Sequence, residues 1–191
     1  MFESRPLVKL TPGTLASSGG AKVLLIEGRS ASALPPCISQ KAKTLTAPQT
    51  GKTTHKFVIV LSKKLEPGTA LNPCAHMAAT LVARADDETR KHMSFVDYVN
   101  ADGNVHPVSA LSLVVLSAKN ASQVRTARLE VIRAGLPYVD FTETMTKDTY
   151  VEQMDRTRAT RDEDLDYWGL CMFGPRAIID PITRRFSLWR I

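Results

Sequence analysis

The stretch that decides the fold is KFVIVLSKKLEPGTALNPCAHMAATLVAR, residues 56–84. Its continuous apolar run, Phe57–Leu61, is typical of a strand that is covered on both faces. Glu66-Pro67-Gly68 predicts a turn, and an alanine-rich helix follows. Because proline inside a helix costs about 3 kcal/mol, we expect the regular helix to begin at Pro73, with Asn72 as its N-cap. The stretch therefore predicts the strand and helix that open an α/β fold.

Apolar runs alternate with helical patterns along the rest of the chain. A helix is predicted at residues 121–134, with Arg125, Arg128 and Arg133 facing outward. Thr149 and Glu152 have the spacing of a capping box, as do Thr160 and Glu163, so two short helices are expected between residues 147 and 166. Further strands are predicted at Phe95–Val99, Val105–Val108, Leu111–Leu116, Pro137–Phe141 and Trp168–Phe173, and a last strand or clasp at Phe186–Trp189.

Charge divides the chain into two parts. Residues 1–56 hold eight Lys or Arg and only two Glu, which accounts for the whole net charge of +6. Residues 57–191 hold 17 basic and 17 acidic side chains and are neutral. We therefore predict a basic N-terminal extension, residues 1–54, and an α/β domain, residues 55–191. The extension is either a targeting segment or an accessory arm, and its apolar run Val23–Ile26 is either an added edge strand or an apolar patch.

Residue types that bind metals or nucleotides are present without the required spacing. Cys37, Cys74 and Cys171 are odd in number and widely spaced, which favours a reducing, intracellular compartment, cytoplasmic or mitochondrial. The four histidines show no metal-ligand spacing, so no metal and no cofactor are predicted. Gly51-Lys52-Thr53 resembles the end of a Walker A loop but precedes a strand and lacks the earlier glycine. The sequence has no unbroken run of 18 apolar residues, so no membrane span is predicted.

Five segments carry a resemblance to a known family: KFVIVLSKKLEPGTALNPCAHMA, VDYVNADGNVHPVSA, VDFTETMTKDTYVEQM, LDYWGLCMFGP and RRFSLWR. They resemble the uncharacterised family named "domain of unknown function 2000" over about residues 55–190. That family in turn resembles the archaeal/eukaryotic type of peptidyl-tRNA hydrolase. GTALNPCAHM is similar to the hydrolases' first helix, roughly GKIAAQCSHA, and GLCMFGPRAIIDPIT to their closing strand and helix. The resemblance implies a three-layer α/β fold, with a mixed, mostly four-stranded sheet and helices on both faces.

The resemblance also implies a set of site residues. The hydrolases use a lysine at the first strand, which Lys56 matches, and an Asp and a Thr in a D-A-G-x-T segment. Asp140 and Thr144 have that spacing in DFTET, although Phe and Thr replace Ala and Gly. The hydrolases also carry lysines at the start of the first helix, where this chain has Thr69 and Leu71. These departures argue against cleavage of peptidyl-tRNA itself.

Each candidate has a functional and a structural interpretation. Lys56 would stabilise an oxyanion or hold a phosphate, or is a solvated lysine at a strand end. His76 would transfer a proton, or is hydrogen-bonded to a neighbouring loop. Asp140 and Thr144 would act on water or an ester, or only end a strand and cap a helix. Asn72, with Gly68, is expected to bind the ligand, although an N-cap role also explains Asn72.

Two functions remain open. The first is a hydrolase of an ester or amide on a nucleotide or small carrier, with its pocket between the first strand, the first helix and the loop after Phe141. The alternative is a non-catalytic module that binds a small molecule in the same pocket, or binds RNA or a ribonucleoprotein through the basic extension. A homodimer is left open, and no membrane partner is expected.

Overall fold

The computed structural model describes residues 53–190. The strands are β1 (His55–Ser62), β2 (Phe95–Val99), β3 (Val105–Ser109), β4 (Leu113–Ala118), β5 (Tyr138–Thr142), β6 (Tyr167–Pro175) and β7 (Ser187–Leu188). The helices are α1 (Pro67–Arg84), α2 (Asp87–Lys91), α3 (Ala121–Arg133), α4 (Tyr150–Ala159) and α5 (Arg176–Thr183), with a 3₁₀ turn at Glu143–Met145. The predictions for the N-terminal extension, including Val23–Ile26 and most of the Gly-Lys-Thr motif, lie outside the described residues.

The main sheet is mixed and has five strands in the order β5-β6-β1-β4-β7. β1 and β4 are parallel, and β6 runs antiparallel to both of its neighbours, β1 and β5. The expected count of four strands is therefore wrong by one strand. The extra strand, β7, pairs with β4 through two residues only, Ser187 and Leu188. This strand lies within the segment that was predicted as a last strand or clasp, Phe186–Trp189.

Helices cover both faces of this sheet. The central strand β1 contributes side chains to both cores, because alternate residues of a strand point to opposite sides. Phe57, Ile59 and Leu61 pack in a core with α1. Val58 and Val60 pack in a second core with α3 and α5. Both sets are almost fully buried, which is why the run reads as continuously apolar.

The start of α1 differs from the prediction. The helix begins at Pro67, after Glu66, and Pro73 lies inside it. Proline suits the first helical position, where its missing N–H has no helical partner, so Pro67 starts the helix. Pro73 leaves the Thr69 carbonyl without its usual donor, but Pro73 itself is buried in the core. Asn72 is therefore a mid-helix residue and not the N-cap.

Only one of the two predicted capping boxes forms. The side chains and backbones of Thr149 and Glu152 bond reciprocally at the start of α4. The Thr160 N–H instead donates to the Thr157 carbonyl at 3.2 Å and ends that helix. Because this N–H is already bonded, Glu163 has no donor with which to complete a box. The second predicted helix is absent, and residues 161–166 form no helix.

The predicted hairpin is confirmed. β2 and β3 pair antiparallel as a separate two-stranded sheet. Gly103 has a φ of 83°, which glycine adopts without strain. The Asn100 side chain accepts hydrogen bonds from the N–H groups of Asp102 and Asn104, so the turn is fixed by its own side chains.

Candidate functional site

A cleft of about 1150 Å³ opens between α1, the outer strand β5 and α4. Its floor is apolar and includes Met77, Val139 and Phe141. The segment that joins β5 to α4 closes one end, where Met145 and Met154 add apolar surface. Large, mostly apolar clefts with a few polar groups are the usual sites for small ligands.

Helix α1 presents a polar stripe to this cleft. Asn72, His76 and Thr80 line it, and residues four apart lie on the same face of a helix. The His76 ring lies 6.0 Å from the ring of Phe141, centroid to centroid. Asn72 and His76 were predicted site residues, whereas Thr80 was missed. Its signal was available in the sequence, since four-residue spacing of polar residues on an apolar helix marks a second, non-core face.

The main chain of β5 adds hydrogen-bonding groups to the same cleft. Phe173 donates to the Pro137 carbonyl, so alternate residues of β5, Val139 and Phe141, bond to β6. Tyr138 and Asp140 therefore direct their N–H and C=O groups away from the sheet. These groups have no hydrogen-bond partner among residues 53–190. A second cavity of about 570 Å³ continues along this strand, past Thr80 and Arg84.

The rim segment 145–149 is held by two side chains of α4. Arg156 donates to the carbonyls of Thr144, Thr146 and Lys147 and pairs with Asp148 at 2.9 Å. Gln153 donates to the carbonyls of Lys147 and Asp148. Lys147 and Asp148 both have left-handed backbones, with φ of 58° and 63°. Two successive left-handed residues other than glycine are strained, so this segment depends on its clamps.

Lys56 lies away from the cleft. It stands at the beginning of β1 and shares the face of Val58 and Val60, opposite to α1. Its ammonium pairs with Asp180 of α5 at 2.5 Å, and its side chain is only 10% exposed. The structure therefore does not bring Lys56 together with His76 or Asn72.

The side chains of Asp140 and Thr144 are also engaged elsewhere. The Asp140 carboxylate bonds to Arg128 of α3, on the face opposite to α1. The expectation that Arg128 faces outward is wrong, because its guanidinium also lies over the rings of Tyr138 and Tyr167. Thr144 is buried, with its hydroxyl 2.8 Å from those of Thr142 and Thr157. Of this group, only Thr157 and Asp140 line the cleft.

Gly68 takes no part in the cleft. It is an exposed residue in the first turn of α1 and does not line the cavity. A Cβ built on it would meet nothing within 4 Å, so no close approach requires glycine there. The structure thus brings together Asn72, His76 and Asp140 along the cleft, and leaves out Gly68, Lys56 and Thr144.

The described thiols are not poised as nucleophiles. Burial raises the pKa of the Cys74 thiol, and burial together with the nearby Cys74 raises the pKa of Cys171 to about 12. Both groups are therefore protonated at neutral pH, where only a thiolate attacks. No cluster of three His, Cys, Asp or Glu that could hold a metal ion occurs within residues 53–190.

We expect these two thiols to react slowly. In a Cys37→Ser background, Cys171 should not react with a disulfide reagent at neutral pH until the protein is unfolded. Cys74 should react more slowly than free cysteine, because burial raises its pKa and so lowers the fraction of reactive thiolate. The measurement is the rate of thiol release in native buffer and in denaturant. If a thiol of the native protein reacted as fast as free cysteine, it would contradict this prediction, and that cysteine would become a candidate nucleophile.

Comparisons with known proteins agree with this description at the level of the fold. The model of the family described as "Protein of unknown function (DUF2000)" matches residues 55–190. The solved structure of the protein of unknown function Atu0240 from Agrobacterium tumefaciens strain C58 is similar, with a TM-score of 0.60 and 19% sequence identity. That alignment covers 72% of this chain and 98% of the other. No curated protein matches the chain. None of the described helices has both the length and the apolar character needed to cross a membrane.

Proposed function

The chain belongs to the DUF2000 family of proteins of unknown function, and we propose that it binds a small amphipathic molecule in the cleft between α1 and α4. One observation carries the proposal: a polar helix stripe faces the free main-chain edge of β5 across an apolar floor. Such a site holds the body of a ligand by apolar contact and orients it by a few hydrogen bonds.

The groups in the cleft suggest the chemistry of the ligand. The N–H and C=O of Asp140 offer a donor and an acceptor side by side, which an amide or a similar heterocyclic edge matches. Phe141, Met145 and Met154 suit a flat apolar body, because methionine adapts to irregular shapes and contacts rings favourably. Asn72 and His76 stand on the opposite wall to bond a second polar group.

Binding without hydrolysis is the better supported of the two functions. The resemblance to peptidyl-tRNA hydrolases is retained in this proposal as a likeness of fold and pocket position. Lys56 is paired with Asp180 on the other face of the sheet, and the Asp140 carboxylate is paired with Arg128. In the hydrolytic interpretation Lys56 stabilises charge while His76 or Asp140 transfers the proton, and this placement separates Lys56 from both of them.

A titration by nuclear magnetic resonance tests the proposal on the whole chain. The probes are N-acetylphenylalanine amide and adenosine, each with an aromatic body and a donor–acceptor edge. Saturable shifts are expected at His76, Asp140 and Met154. Met154→Ser should weaken binding by about fivefold, since part of a methionine contact worth about 1.5–3 kcal/mol is lost.

Val151→Ser is the matched control, because Val151 is an exposed apolar residue of α4 that does not line the cleft. It should leave the affinity unchanged. The proposal would be contradicted if neither probe gave saturable shifts, or if Met154→Ser and Val151→Ser lowered the affinity equally. Cleavage of peptidyl-tRNA or small esters that is abolished by Lys56→Ala would show instead that the protein is an enzyme.

A further inference from the structure

The β2–β3 hairpin is hardly packed against the rest of the described structure. Its two strands contact each other, and no other described element packs extensively on either of them. Large apolar side chains are nevertheless exposed on it: Phe95, Tyr98, Val99, Val105 and Val108. A two-stranded hairpin alone is only marginally stable in water, and grouped exposed apolar side chains mark interaction sites. This hairpin therefore has the character of a docking element.

The two outer edges of the hairpin differ in their capacity to accept another strand. Ala110 donates to Ser94 and Asn100 donates to Asn104, so even-numbered residues form the bonds within the hairpin. Odd-numbered residues point their main-chain groups outward. On β3 the central outward residue is Pro107, which has no N–H and blocks strand addition. On β2 the outward residues Phe95, Asp97 and Val99 have both groups, and these have no partner among residues 53–190.

The side chains along β2 define what can pair with it. Phe95, Asp97 and Val99 lie on one face, and all three are exposed. A strand added to β2 places one residue opposite each of them. The residue opposite Asp97 should be basic, because cross-strand pairs of opposite charge are favourable, and those two positions away should be apolar.

A second copy of this chain fits the β2 edge poorly. β2 contains no basic residue, so pairing β2 with β2 of another molecule places Asp97 opposite another Asp97 or opposite an apolar side chain. Like charges directly opposite each other are destabilising. The charge pattern therefore favours a different chain.

We propose that the outer edge of β2 is the docking site for an extended segment of a partner protein, with the pattern apolar–x–basic–x–apolar. The segment becomes a third strand of the hairpin, and its basic residue faces Asp97. Main-chain bonds to Phe95, Asp97 and Val99 supply the affinity, and the Asp97 contact supplies the selectivity. This site is separate from the cleft proposed above and does not depend on it.

The test uses blocked heptapeptides and the full-length chain. The peptide TVTKTVT carries a central lysine, and TVTETVT is its acidic counterpart. Addition of TVTKTVT should shift the amide resonances of Phe95, Asp97 and Val99 and protect them from hydrogen exchange, with the amides of β3 less affected. TVTETVT should bind about fivefold more weakly, which is the upper range for one cross-strand charge pair. Asp97→Lys should reverse this preference.

Asp102→Asn is the matched control, since it removes the same charge from the turn of the same hairpin, away from the strand edge. It should leave both affinities unchanged. The idea fails if neither peptide perturbs β2, or if Asp97→Lys leaves the preference as it was. If a second copy of this chain were the occupant, Asp97→Asn would increase dimer formation in sedimentation experiments, because it removes the repulsion between two Asp97 side chains. A basic partner segment predicts only that this variant binds the peptide more weakly.

Discussion

Arg156→Ala is expected to lower the free energy of unfolding by about 3 kcal/mol and to weaken ligand binding in the cleft at least tenfold. Arg156 makes bonds to three carbonyls and an ion pair with Asp148, all to the segment that ends at α4. Hydrogen bonds from a charged donor contribute about 1.5–3 kcal/mol each, and these are partly exposed and share one side chain. Their total is therefore well below a simple sum.

Loss of Arg156 should act on the segment first. Lys147 and Asp148 hold left-handed conformations that cost on the order of 1–3 kcal/mol each, and such strain persists only where neighbouring groups enforce it. Without the guanidinium, Gln153 alone still bonds to these two residues. We expect the segment to relax and the wall of the cleft to open. Hydrogen exchange of residues 145–149 would report this, and urea unfolding would report the global stability.

Arg158→Ala is the matched control for the stability measurement alone, because Arg158 itself lines the cleft and its loss also affects ligand binding. Arg158 lies on the same helix, but it is 75% exposed and pairs only with Asp155, itself exposed. Exposed pairs within one helix contribute about 0.3–0.5 kcal/mol, so this variant should be close to wild type in stability. Equal effects of Arg156→Ala and Arg158→Ala on stability and on the hydrogen exchange of residues 145–149 would mean that the segment is held by something other than the guanidinium.

The elements of the domain could be predicted because their signals are local. Asp102-Gly103 between two apolar runs predicts the hairpin, and the spacing of Thr149 and Glu152 predicts the start of α4. Local rules failed where two of them competed. Pro73 is a poor mid-helix residue, but Pro67 is a good first residue and its position starts the helix six residues earlier. Likewise, the Thr160 N–H bonds to the Thr157 carbonyl at the end of α4, so it is not free to form the second capping box.

The candidate site was predicted only in part, because the face on which a side chain lies depends on pairing between distant segments. A strand buried on both faces shows no alternation, so nothing in the sequence indicates that Lys56 points away from α1. Its partner Asp180 is far along the chain and belongs to a helix on the other face. His76 and Asn72 lie in the cleft because α1 packs its apolar face on the sheet and turns this other face toward α4.

Asp140→Ala is expected to lower the free energy of unfolding by about 2 kcal/mol, between the values for exposed and fully buried ion pairs. Its partner Arg128 has a side chain only 21% exposed. Without Asp140 that cation keeps its contact with Asp162 at 3.4 Å and its positions over Tyr138 and Tyr167, which limits the loss. The measurement is urea unfolding at neutral pH.

A double-mutant cycle with Arg128→Met separates a structural role of Asp140 from a catalytic one. Once the cation is gone, removing the carboxylate should cost much less, with a coupling energy of about 1–2 kcal/mol. Asp155→Ala is the control, because its pair with Arg158 is exposed.

The main chain of Asp140 is unchanged in Asp140→Ala, so ligand binding in the cleft should survive wherever the protein remains folded. A variant of normal stability that had lost binding or any hydrolysis would place the Asp140 carboxylate in the site itself. The observed pairing predicts the reverse, because the ion pair with Arg128 already occupies the Asp140 carboxylate.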